Sequence, residues 1–522
     1  MSKGKSKISR LGVFAALGLV AALGAAPAIG NAQGNEKVRV IVAFKAGAAA
    51  AARAAITNAG GRVVLDMSEA DGVAIEISPK AVAALKRNPN IKLVEEDSVQ
   101  RALGLADPSG PPYQLGQLVP YGIKMVQADQ LPDALTSDRT ICIIDSGYDL
   151  SHEDLSANQV NGENLTTSGE WFTDELHHGT HVSGTVSAIN NPNIGVVGVA
   201  PNKHINIYMV KVFDASGSAP SSVITKAMLR CGVNHANVIS MSLGGSSKGL
   251  FQGTVTDLLA ARNILLVAAA GNAGNNTVSY PAGFANVVSV AAIDINKAKA
   301  SFSQFNPDVE LAAPGVSVLS TVPTGTGLDA SLNVGAATYA VNPMTGSPVI
   351  SATAPLANFG IGDVINPVVA GKVCLIARGT IDFATKVTNC QNSGGLGAVI
   401  YNNVPGNFFG TLGTAVTTIP SVSASDTDGA AMLGQLGQSA TVALAVSNYA
   451  YFDGTSMATP HVAGVAALVW SYSPGCSAGQ LRTSLDRSAQ DLGSPGRDVN
   501  FGFGLVQAKA AHDRIKVLGC GL

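Results

Sequence analysis

Three short stretches of the chain contain an aspartate, a histidine and a serine, in that order, in settings that favour proton transfer and nucleophilic attack. Asp145 ends the segment TICIID, His178 begins HGTHVSG, and Ser456 lies within GTSMATPH. A serine hydroxyl is a weak nucleophile, so an imidazole has to take its proton and a carboxylate has to hold the imidazole in the right tautomer. Together the three residue types predict a hydrolase that works through an acylated serine.

Each of these residues, taken alone, has a simpler interpretation. Asp145 could cap the turn that follows a strand, and Ser456 could be an ordinary N-cap serine. His178 and His181 are three residues apart on one face of a predicted helix and could be a zinc pair, although the glutamate of an H-E-x-x-H protease motif is missing. The catalytic interpretation therefore depends on all three stretches occurring together.

The elements predicted around these residues suit their roles. The apolar, β-branched run 140–144 predicts a buried parallel strand. A carboxylate just past the carboxyl end of such a strand opens into the crevice where α/β folds bind ligands. His178 begins a predicted helix. Ser456 lies in a small-residue turn before an apolar helix predicted over 460–470, close to an N-terminus whose dipole favours developing negative charge.

The three stretches resemble the Asp, His and Ser motifs of the subtilisin-like serine proteases, or subtilases, in which the triad has this order. The similarity extends along almost all of the catalytic region. It implies that Asp145, His178 and Ser456 form a catalytic triad. The segment VAAAGN is similar to the family's oxyanion-hole turn, which implies that Asn272 and the N–H of Ser456 donate hydrogen bonds to the developing oxyanion.

The resemblance also implies where a peptide substrate is held. The segments 242–245 and 217–219 resemble the two edges that pair with the backbone of the substrate. Backbone pairing suits an endopeptidase of broad specificity. Tyr280-Pro281 resembles the family's cis-proline turn beside the pocket for the residue before the scissile bond, with a serine before it where many relatives carry glycine. The implied substrate-binding residues are Ser242, Leu243, Gly244, Gly217, Ser218, Ala219 and Ser279.

A calcium site follows from the same resemblance. Residues 154–155 and the loop 189–196 resemble the family's tight calcium loop, although the loop is one residue longer here. Gln117 resembles the N-terminal ligand of that site. Carboxylate, amide and carbonyl oxygens are the donors that calcium prefers. An asparagine-rich turn without metal is the alternative. The implied ligands are Gln117, Asp154, Ile189, Asn191, Ile194 and Val196.

Composition and charge limit the classes of partner. The chain of 522 residues has 33 Lys and Arg against 35 Asp and Glu, and no basic stripe of the kind that binds nucleic acid. Residues 1–32 have four basic residues, an apolar stretch and a small-residue cleavage site, which predicts a secretory signal peptide. No other segment has the roughly 18 apolar residues of a membrane span. We therefore expect a secreted protein without a stable membrane anchor, acting as a monomer.

Six cysteines in a secreted chain predict disulfides, and six cysteines allow 15 connectivities. The local pairing joins Cys142 to Cys231, Cys374 to Cys390 and Cys476 to Cys520, of which the middle pair is closest in sequence. Cys142 could instead be a free core cysteine.

The rest of the pattern divides the chain into domains. Residues 33–103 predict a small α+β unit whose end, VEED at 94–97, resembles that of the inhibitory propeptide of subtilases; a ferredoxin-like domain of other role is the alternative. Residues 104–116, rich in glycine and proline, predict a linker, and we expect self-cleavage after Leu103 or within it. The predicted elements are strands over 38–44, 62–67, 72–77 and 91–96 and helices over 48–58 and 80–87.

From 117 onwards apolar strands alternate with helices, which predicts a mainly parallel sheet with helices on both faces. With the resemblance, this implies a three-layer α/β fold over 117–326 and 448–522. Between these parts, residues 327–447 are rich in small apolar residues, and GKVCLIARG at 371–379 resembles a core strand of a protease-associated (PA) domain. An unrelated β-rich insertion is the alternative.

These observations predict a secreted, calcium-stabilised serine endopeptidase that acts on proteins or peptides through an acyl-enzyme. Its propeptide would serve as intramolecular inhibitor and folding chaperone. The alternative is a catalytically silent secreted binding protein with the same fold. No nucleotide or redox cofactor motif is present in the sequence.

Overall fold

A computed structural model describes residues 37–102, 105–106, 117–191, 193–404, 406, 408 and 410–522. The predicted signal peptide, Leu103 and most of the predicted linker lie outside the described residues. The chain divides into two compact units. One contains Ala32–Leu328 and Val446–Leu522, and the other contains Asp329–Ala445. We call residues 37–102 the leader; it belongs to the first unit.

The leader is a four-stranded antiparallel sheet with two helices, in the order β2-β3-β1-β4. Its first strand is buried on both faces with the period of two expected of a strand. Val40 and Val42 pack with the leader's own helices, whereas Ile41 and Ala43 join a core formed with the large parallel sheet. All six predicted elements are present within two residues of their expected ends: β1 (Val38–Phe44), α1 (Ala49–Asn58), β2 (Arg62–Met67), β3 (Gly72–Ile77), α2 (Pro79–Lys86) and β4 (Ile91–Glu96).

Two short strands follow the leader sheet, β5 (Val99–Ala102) and β6 (Leu105–Ala106). They pair with other parts of the first unit and not with the leader's own sheet. Because these two strands are extended and lie outside the leader's own sheet, they can pair with strand edges elsewhere in the first unit.

The first unit is built on a seven-stranded parallel sheet in the order β15-β14-β13-β11-β7-β9-β8. Strand β7 is buried on both sides, with Ile141 and Ile143 in one core and Cys142 and Ile144 in the other. This burial on both faces confirms the buried parallel strand that the apolar run 140–144 predicts. The elements up to the insertion are α3 (Tyr121–Met125), β7 (Thr140–Asp145), β8 (Gln159–Asn164), α4 (His178–Ser187), β9 (Asn206–Lys211), β10 (Ser218–Pro220), α5 (Ser221–Val233), β11 (Val238–Met241), β12 (Leu243–Gly244), α6 (Leu250–Ala261), β13 (Leu265–Ala269), β14 (Val287–Ile293), β15 (Val309–Pro314) and β16 (Val318–Thr321).

The second unit has an eight-stranded mixed sheet in the order β18-β17-β24-β20-β21-β22-β23-β19. Two apolar clusters cover it; the first consists mainly of aliphatic side chains, and the second also contains Met344, Phe359, Phe408 and the disulfide Cys374–Cys390. Its elements, some of which continue past the limits of the unit, are β17 (Gly327–Val334), β18 (Ala337–Tyr339), β19 (Val341–Pro343), β20 (Ser351–Asn358), β21 (Val373–Ala377), α7 (Phe383–Asn392), β22 (Gly397–Tyr401), β23 (Ser421–Ala424), α8 (Asp426–Leu433) and β24 (Ser439–Ser447).

The chain then returns to the first unit through β25 (Tyr449–Asp453), α9 (Thr455–Tyr472), α10 (Ala478–Ser488) and α11 (Ala508–Leu518). Helix α9 is apolar all round and almost entirely buried, as a helix at the centre of a core should be. No helix within the described ranges is long and apolar enough to cross a membrane.

The predicted start of this central helix is wrong. Proline favours the first turn of a helix, which is why Pro460 marks the start in the sequence. The helix begins at Thr455 instead, and Pro460 lies inside it. The carbonyl of Ser456 accepts a hydrogen bond from the hydroxyl of Ser242 (2.8 Å). That hydroxyl supplies a donor in place of the N–H that proline lacks at this point of the helix.

The structure contains all three predicted disulfides. Cys142–Cys231 joins β7 to α5, Cys374–Cys390 joins β21 to α7, and Cys476–Cys520 joins the segment after α9 to the chain terminus beyond α11. The alternative of a free Cys142 is therefore wrong. Each bond connects two elements that belong to the same unit.

Candidate active site

The buried pair of Asp145 and His178 forms the centre of the site. Asp145 is the last residue of β7, and His178 is the first residue of α4. The Nδ1 atom of His178 lies 2.7 Å from Oδ1 of Asp145, and both side chains are almost completely buried. Burial lowers the pKa of His178, but the charge and hydrogen bond of Asp145 raise it, and it lies above the usual histidine value.

A second layer of hydrogen bonds fixes the start of α4 against the end of β7. The hydroxyl of Ser146 donates to Asp174 (2.7 Å) and accepts from the N–H of Gly179 (2.8 Å). Asp174 also accepts from the N–H and the hydroxyl of Thr180 (both 2.7 Å). At Gly179 a Cβ would lie 2.3 Å from the carbonyl oxygen of Gly147, so only glycine allows this approach.

Ser456 is the second residue of α9, and its hydroxyl is buried near the N-terminus of that helix. The hydroxyl donates to the carbonyl oxygen of Ser242 (2.9 Å). The Nε2 atom of His178 has no hydrogen-bond partner among the described residues. The hydroxyl of Ser456 and the imidazole of His178 are therefore not hydrogen-bonded to each other in this structure.

Asn272 lies after β13, and its side-chain oxygen binds the residue before Ser456. Its Oδ1 atom accepts from the backbone N–H (2.9 Å) and the hydroxyl (2.7 Å) of Thr455. These bonds define the acceptor end of the amide, so that Nδ2 is its donor end. The amide is thus tied to the N-terminal turn of the helix that carries Ser456.

His181, the other half of the possible zinc pair, binds the backbone. Its Nε2 atom lies within hydrogen-bond distance of the carbonyl oxygens of Val318 (2.9 Å) and Ala450 (3.1 Å). Its ring stacks on Phe452 at a centroid distance of 4.3 Å. Burial lowers the pKa of His181 to about 3. This histidine therefore ties α4 to β16 and β25 as a neutral structural group.

The leader's β5 strand lies between the two segments that resemble substrate-binding edges. It is the middle strand of a three-stranded antiparallel sheet with β10 and β12. Arg101 lies opposite both Ser218 and Gly244, and Ala102 lies opposite Leu243. Gln100 lies opposite Ala219.

The other predicted substrate-binding residues have separate contacts. Gly217 precedes β10 with a φ of +64°, a value that favours glycine. The backbone oxygen of Ser242 is occupied by the hydroxyl of Ser456. Ser279 is buried, its carbonyl oxygen accepts from the N–H of Gly283 (2.8 Å), and the peptide bond between Tyr280 and Pro281 is cis.

After residues 103–104 in sequence, the chain pairs with a second strand of the first unit. Strand β6 pairs with β25, with Leu105 opposite Asp453. Helix α9 begins two residues after β25 ends. The segments before and after residues 103–104 are therefore both paired with edges of the first unit, and the second edge leads directly into the helix that carries Ser456.

Four of the six predicted calcium ligands lie close together. The side-chain nitrogen of Gln117 donates to the carbonyl oxygens of Ile189 (3.0 Å) and Val196 (3.5 Å). Asp154 accepts from the N–H of Val196 (2.8 Å) through Oδ2, while its buried Oδ1 has no hydrogen-bond partner among the described residues. Burial raises the pKa of Asp154. Asn191 and Ile194 belong to the same loop, in which the N–H of Ile194 donates to the carbonyl of Asn191 (3.1 Å).

Several polar residues at the site escaped the sequence analysis because their types and spacing form no motif. Asp174 holds the start of α4, as described above. Lys211 is fully buried at the end of β9, where its Nζ donates to the carbonyls of Ser146 (2.7 Å) and Thr173 (2.9 Å). A lysine at the end of an apolar strand was the one visible signal, since a buried lysine requires partners.

Comparison with known proteins decides the family. The model of the subtilase family matches residues 136–357 and 414–504, which together are more than half of the chain. The chain belongs to the subtilase family. The model of the PA domain matches residues 338–432, within the second unit. This subtilase therefore carries a PA domain as an insertion, and the alternative of an unrelated β insertion is wrong.

Relatives of this subtilase include two subtilisins of Bacillus species. It is 35% identical to Subtilisin NAT of Bacillus subtilis subsp. natto over 298 residues, 55% of this chain and 74% of the relative. It is 42% identical to Subtilisin DY of Bacillus licheniformis over 216 residues, 40% of this chain and 77% of the relative. With the family match, these similarities show that the protein is a serine endopeptidase and not a catalytically silent binding protein.

A solved structure shows the same fold. The subtilisin-like protease Apa1 from the Antarctic psychrotroph Pseudoalteromonas sp. AS-11 superimposes with a TM-score of 0.64 at 40% identity. The match covers 78% of this chain and 100% of that chain. The predicted α/β fold with a mainly parallel sheet is confirmed.

Proposed function

We propose that this subtilase cleaves peptide bonds of proteins with the triad Asp145, His178 and Ser456. The observation that carries the proposal is the 2.7 Å contact between Asp145 and His178 at the carboxyl end of β7. In acylation, Ser456 Oγ bonds to the scissile carbonyl carbon while Nε2 of His178 takes the hydroxyl proton. The C–N bond then breaks and the leaving amine receives that proton. A water molecule repeats these steps on the acyl-enzyme and regenerates the hydroxyl.

Two donors would stabilise the oxyanion that forms in each step. They are Nδ2 of Asn272 and the backbone N–H of Ser456, which lies at the N-terminus of α9, where the helix dipole favours negative charge. The hydrogen bonds from Thr455 to the oxygen of Asn272 hold the amide in place before substrate arrives. Because donors fixed in advance need no rearrangement during the reaction, they stabilise the transition state more than the bound substrate.

The protein would be made as a self-processing zymogen in which the leader occupies the substrate cleft. Strand β5 pairs with β10 and β12 in the manner expected of substrate backbone, and β6 pairs with β25 beyond the proposed cleavage site after Leu103. Main-chain pairing of this kind holds an extended peptide whatever its side chains. It therefore supports both inhibition by the leader and cleavage of many protein sequences.

Two acidic side chains of the leader cap helices of the peptidase. Glu95 accepts from the N–H groups of Leu250 (2.7 Å) and Phe251 (2.9 Å) at the start of α6. Asp97 accepts from the N–H of Ser222 (2.6 Å) at the start of α5. Both contacts bring a carboxylate to the positive end of a helix dipole. They also suit a folding chaperone, because the leader thereby holds two helices that flank the parallel sheet.

A calcium ion would stabilise the segment around Asp154. The donor set fits, because one carboxylate oxygen of Asp154 is buried without a hydrogen-bond partner among the described residues. The carbonyl oxygens of Ile189 and Val196 both face the side-chain nitrogen of Gln117, an amide that would turn to present its oxygen to the ion. Within the described ranges, no group of three or more His, Cys, Asp or Glu side chains is arranged so that it could hold a metal ion. The site therefore depends on Asp154 together with amide and carbonyl oxygens, which are hard ligands suited to calcium.

Secretion belongs to the same proposal. The basic and apolar residues of 1–32 have the pattern of a signal peptide. Three disulfides suit an oxidising compartment outside the cytoplasm.

Covalent labelling with a fluorophosphonate tests the catalytic assignment. The processed enzyme should be modified once, and peptide mapping should place the adduct on Ser456, because only an activated serine attacks the phosphorus atom. The variant Ser456→Ala, which should keep its leader uncleaved, should remain unlabelled while its circular dichroism spectrum shows that it is folded. An adduct on another serine would overturn the assignment.

A further inference from the structure

The side chain of Gln100 in β5 lies in a buried polar pocket. Gln100 is 1% exposed although it belongs to an extended segment outside the leader's own sheet. Its side-chain nitrogen donates to Oε1 of Gln252 (2.9 Å) and to the carbonyl oxygen of Tyr280 (3.0 Å). Its side-chain oxygen accepts from Nε2 of Gln252 (3.1 Å). Two donor bonds and one acceptor bond thus satisfy the amide.

The peptidase side of this pocket is equally buried. Gln252 is on α6 and is also 1% exposed. Its neighbours along the helix, Phe251 and Val255, belong to the apolar core. Apart from Gln100, its amide has a contact with the hydroxyl of Thr225 on α5, at 3.4 Å. A buried polar group of this kind is costly unless its hydrogen bonds are satisfied.

Other side chains at the position of Gln100 would fit this pocket poorly. Leucine or methionine has a similar size but would leave the amide of Gln252 with only its 3.4 Å contact to Thr225. The carbonyl of Tyr280 would keep the N–H of Gly245 (2.9 Å) but would lose its second donor. Glutamate could accept from Gln252 but has no donor for Tyr280, and its charge would be desolvated. A site built to hydrogen-bond its ligand rejects analogues that lack the matching groups.

We propose that Gln252, with the carbonyl of Tyr280, forms a subsite that selects a glutamine side chain in protein substrates. The inference rests on the proposed function, because it takes the leader's β5 as an occupant of the substrate cleft. If cleavage follows Leu103, Gln100 is the fourth residue before the scissile bond, the position called P4. Backbone pairing remains tolerant of sequence, and this subsite adds a preference at one position.

Cleavage of matched peptides tests the preference directly. The parent peptide has the sequence SVQRALGLA of residues 98–106 between a fluorophore and a quencher, and three others replace the glutamine by glutamate, leucine or methionine. With the processed enzyme, kcat/KM should be about ten-fold or more higher for the glutamine peptide, as the loss of buried hydrogen bonds predicts. Equal values for glutamine and leucine would overturn the inference, provided that all peptides are cut at the same bond.

The variant Gln252→Leu should reverse the order, so that the leucine peptide is cleaved better than the glutamine peptide. The readout is the ratio between two peptides with one enzyme, so it does not depend on the overall activity of the variant. Thr254→Ala, an exposed position on the same helix, should keep the wild-type ratio. An unchanged preference in Gln252→Leu would exclude Gln252 as its source.

Leader variants keep the inference testable if Gln252→Leu does not fold. In the full-length chain, Gln100→Leu and Gln100→Glu should each slow self-processing, whereas Lys92→Gln, an exposed position on β4 outside the cleft, should not. Processing of both Gln100 variants at the wild-type rate would contradict the subsite. If no peptide is cleaved and the fluorophosphonate does not label Ser456, the proposed function itself has failed, which is a different outcome from cleavage without preference.

Discussion

At the scale of single residues, the centre of the site is the buried carboxyl group of Asp145 paired with the buried imidazole of His178. Asp145 raises the pKa of His178 while burial opposes that rise. In the proposed mechanism, the imidazole has to be neutral to accept the proton of Ser456, and it becomes charged in the transition state. In that mechanism, the carboxylate of Asp145 would assist the reaction and would also set the pH below which the free enzyme loses its base.

Asp145→Asn should lower kcat by about 10⁴-fold, because the imidazole loses its orienting and stabilising partner. The pH profile provides an independent readout. Since Asp145 holds the pKa of His178 above its usual value, its replacement should move the acidic limb of kcat/KM to lower pH. An acidic limb at the wild-type position would show that the limb belongs to another group.

Asn272→Ala should lower kcat by about 10²–10³-fold with little change in KM, because in the proposed mechanism its amide acts on the oxyanion and not on the bound substrate. Steady-state kinetics on a short peptide measure both constants. Asn276→Ala, an exposed asparagine in the loop that follows, is the control and should match the wild type. A KM effect without a kcat effect would place Asn272 in substrate binding.

At the scale of elements, the leader and the peptidase meet through helix N-termini. Glu95→Ala should weaken inhibition of the processed enzyme by the leader added in trans, by about ten-fold, since a lost cap costs roughly 0.5–2 kcal/mol. Inhibition constants measured with a short peptide substrate provide the test. Glu96→Ala, an exposed neighbour, is the matched control and should inhibit as well as the wild type. Equal inhibition by both variants would exclude the helix cap as a source of affinity.

The elements also show what the sequence could and could not predict. The leader's strands and helices were predicted within two residues because their boundaries depend on local signals, such as the glycines after α1 and Pro79 at the start of α2. The start of α9 could not be predicted from local signals. The hydroxyl of Ser242, far away in sequence, donates to the carbonyl of Ser456, which would otherwise lack a partner because Pro460 has no N–H. Gln252 and Asp174 escaped notice for the same reason: their roles come from tertiary contacts that no spacing encodes.

At the scale of the whole molecule, stability would depend on an ion that is remote from the chemistry. Chelation with EGTA should lower the melting temperature before it lowers activity, because calcium binds the folded state and its proposed ligands are not in the triad. Scanning calorimetry with calcium, magnesium or chelator measures the shift. Asp154→Asn should reduce the increase in melting temperature that calcium causes. A melting temperature that is indifferent to chelator would contradict the site.

The central claim is that one serine both processes the zymogen and cleaves substrates, and an intact-mass measurement tests it most directly. The purified full-length chain, refolded with calcium, should separate into two fragments at a bond after Leu103 or within the linker. The Ser456→Ala chain, refolded and incubated in parallel, should remain a single species. If the Ser456→Ala chain yields the same two fragments at the same rate, Ser456 is not the nucleophile.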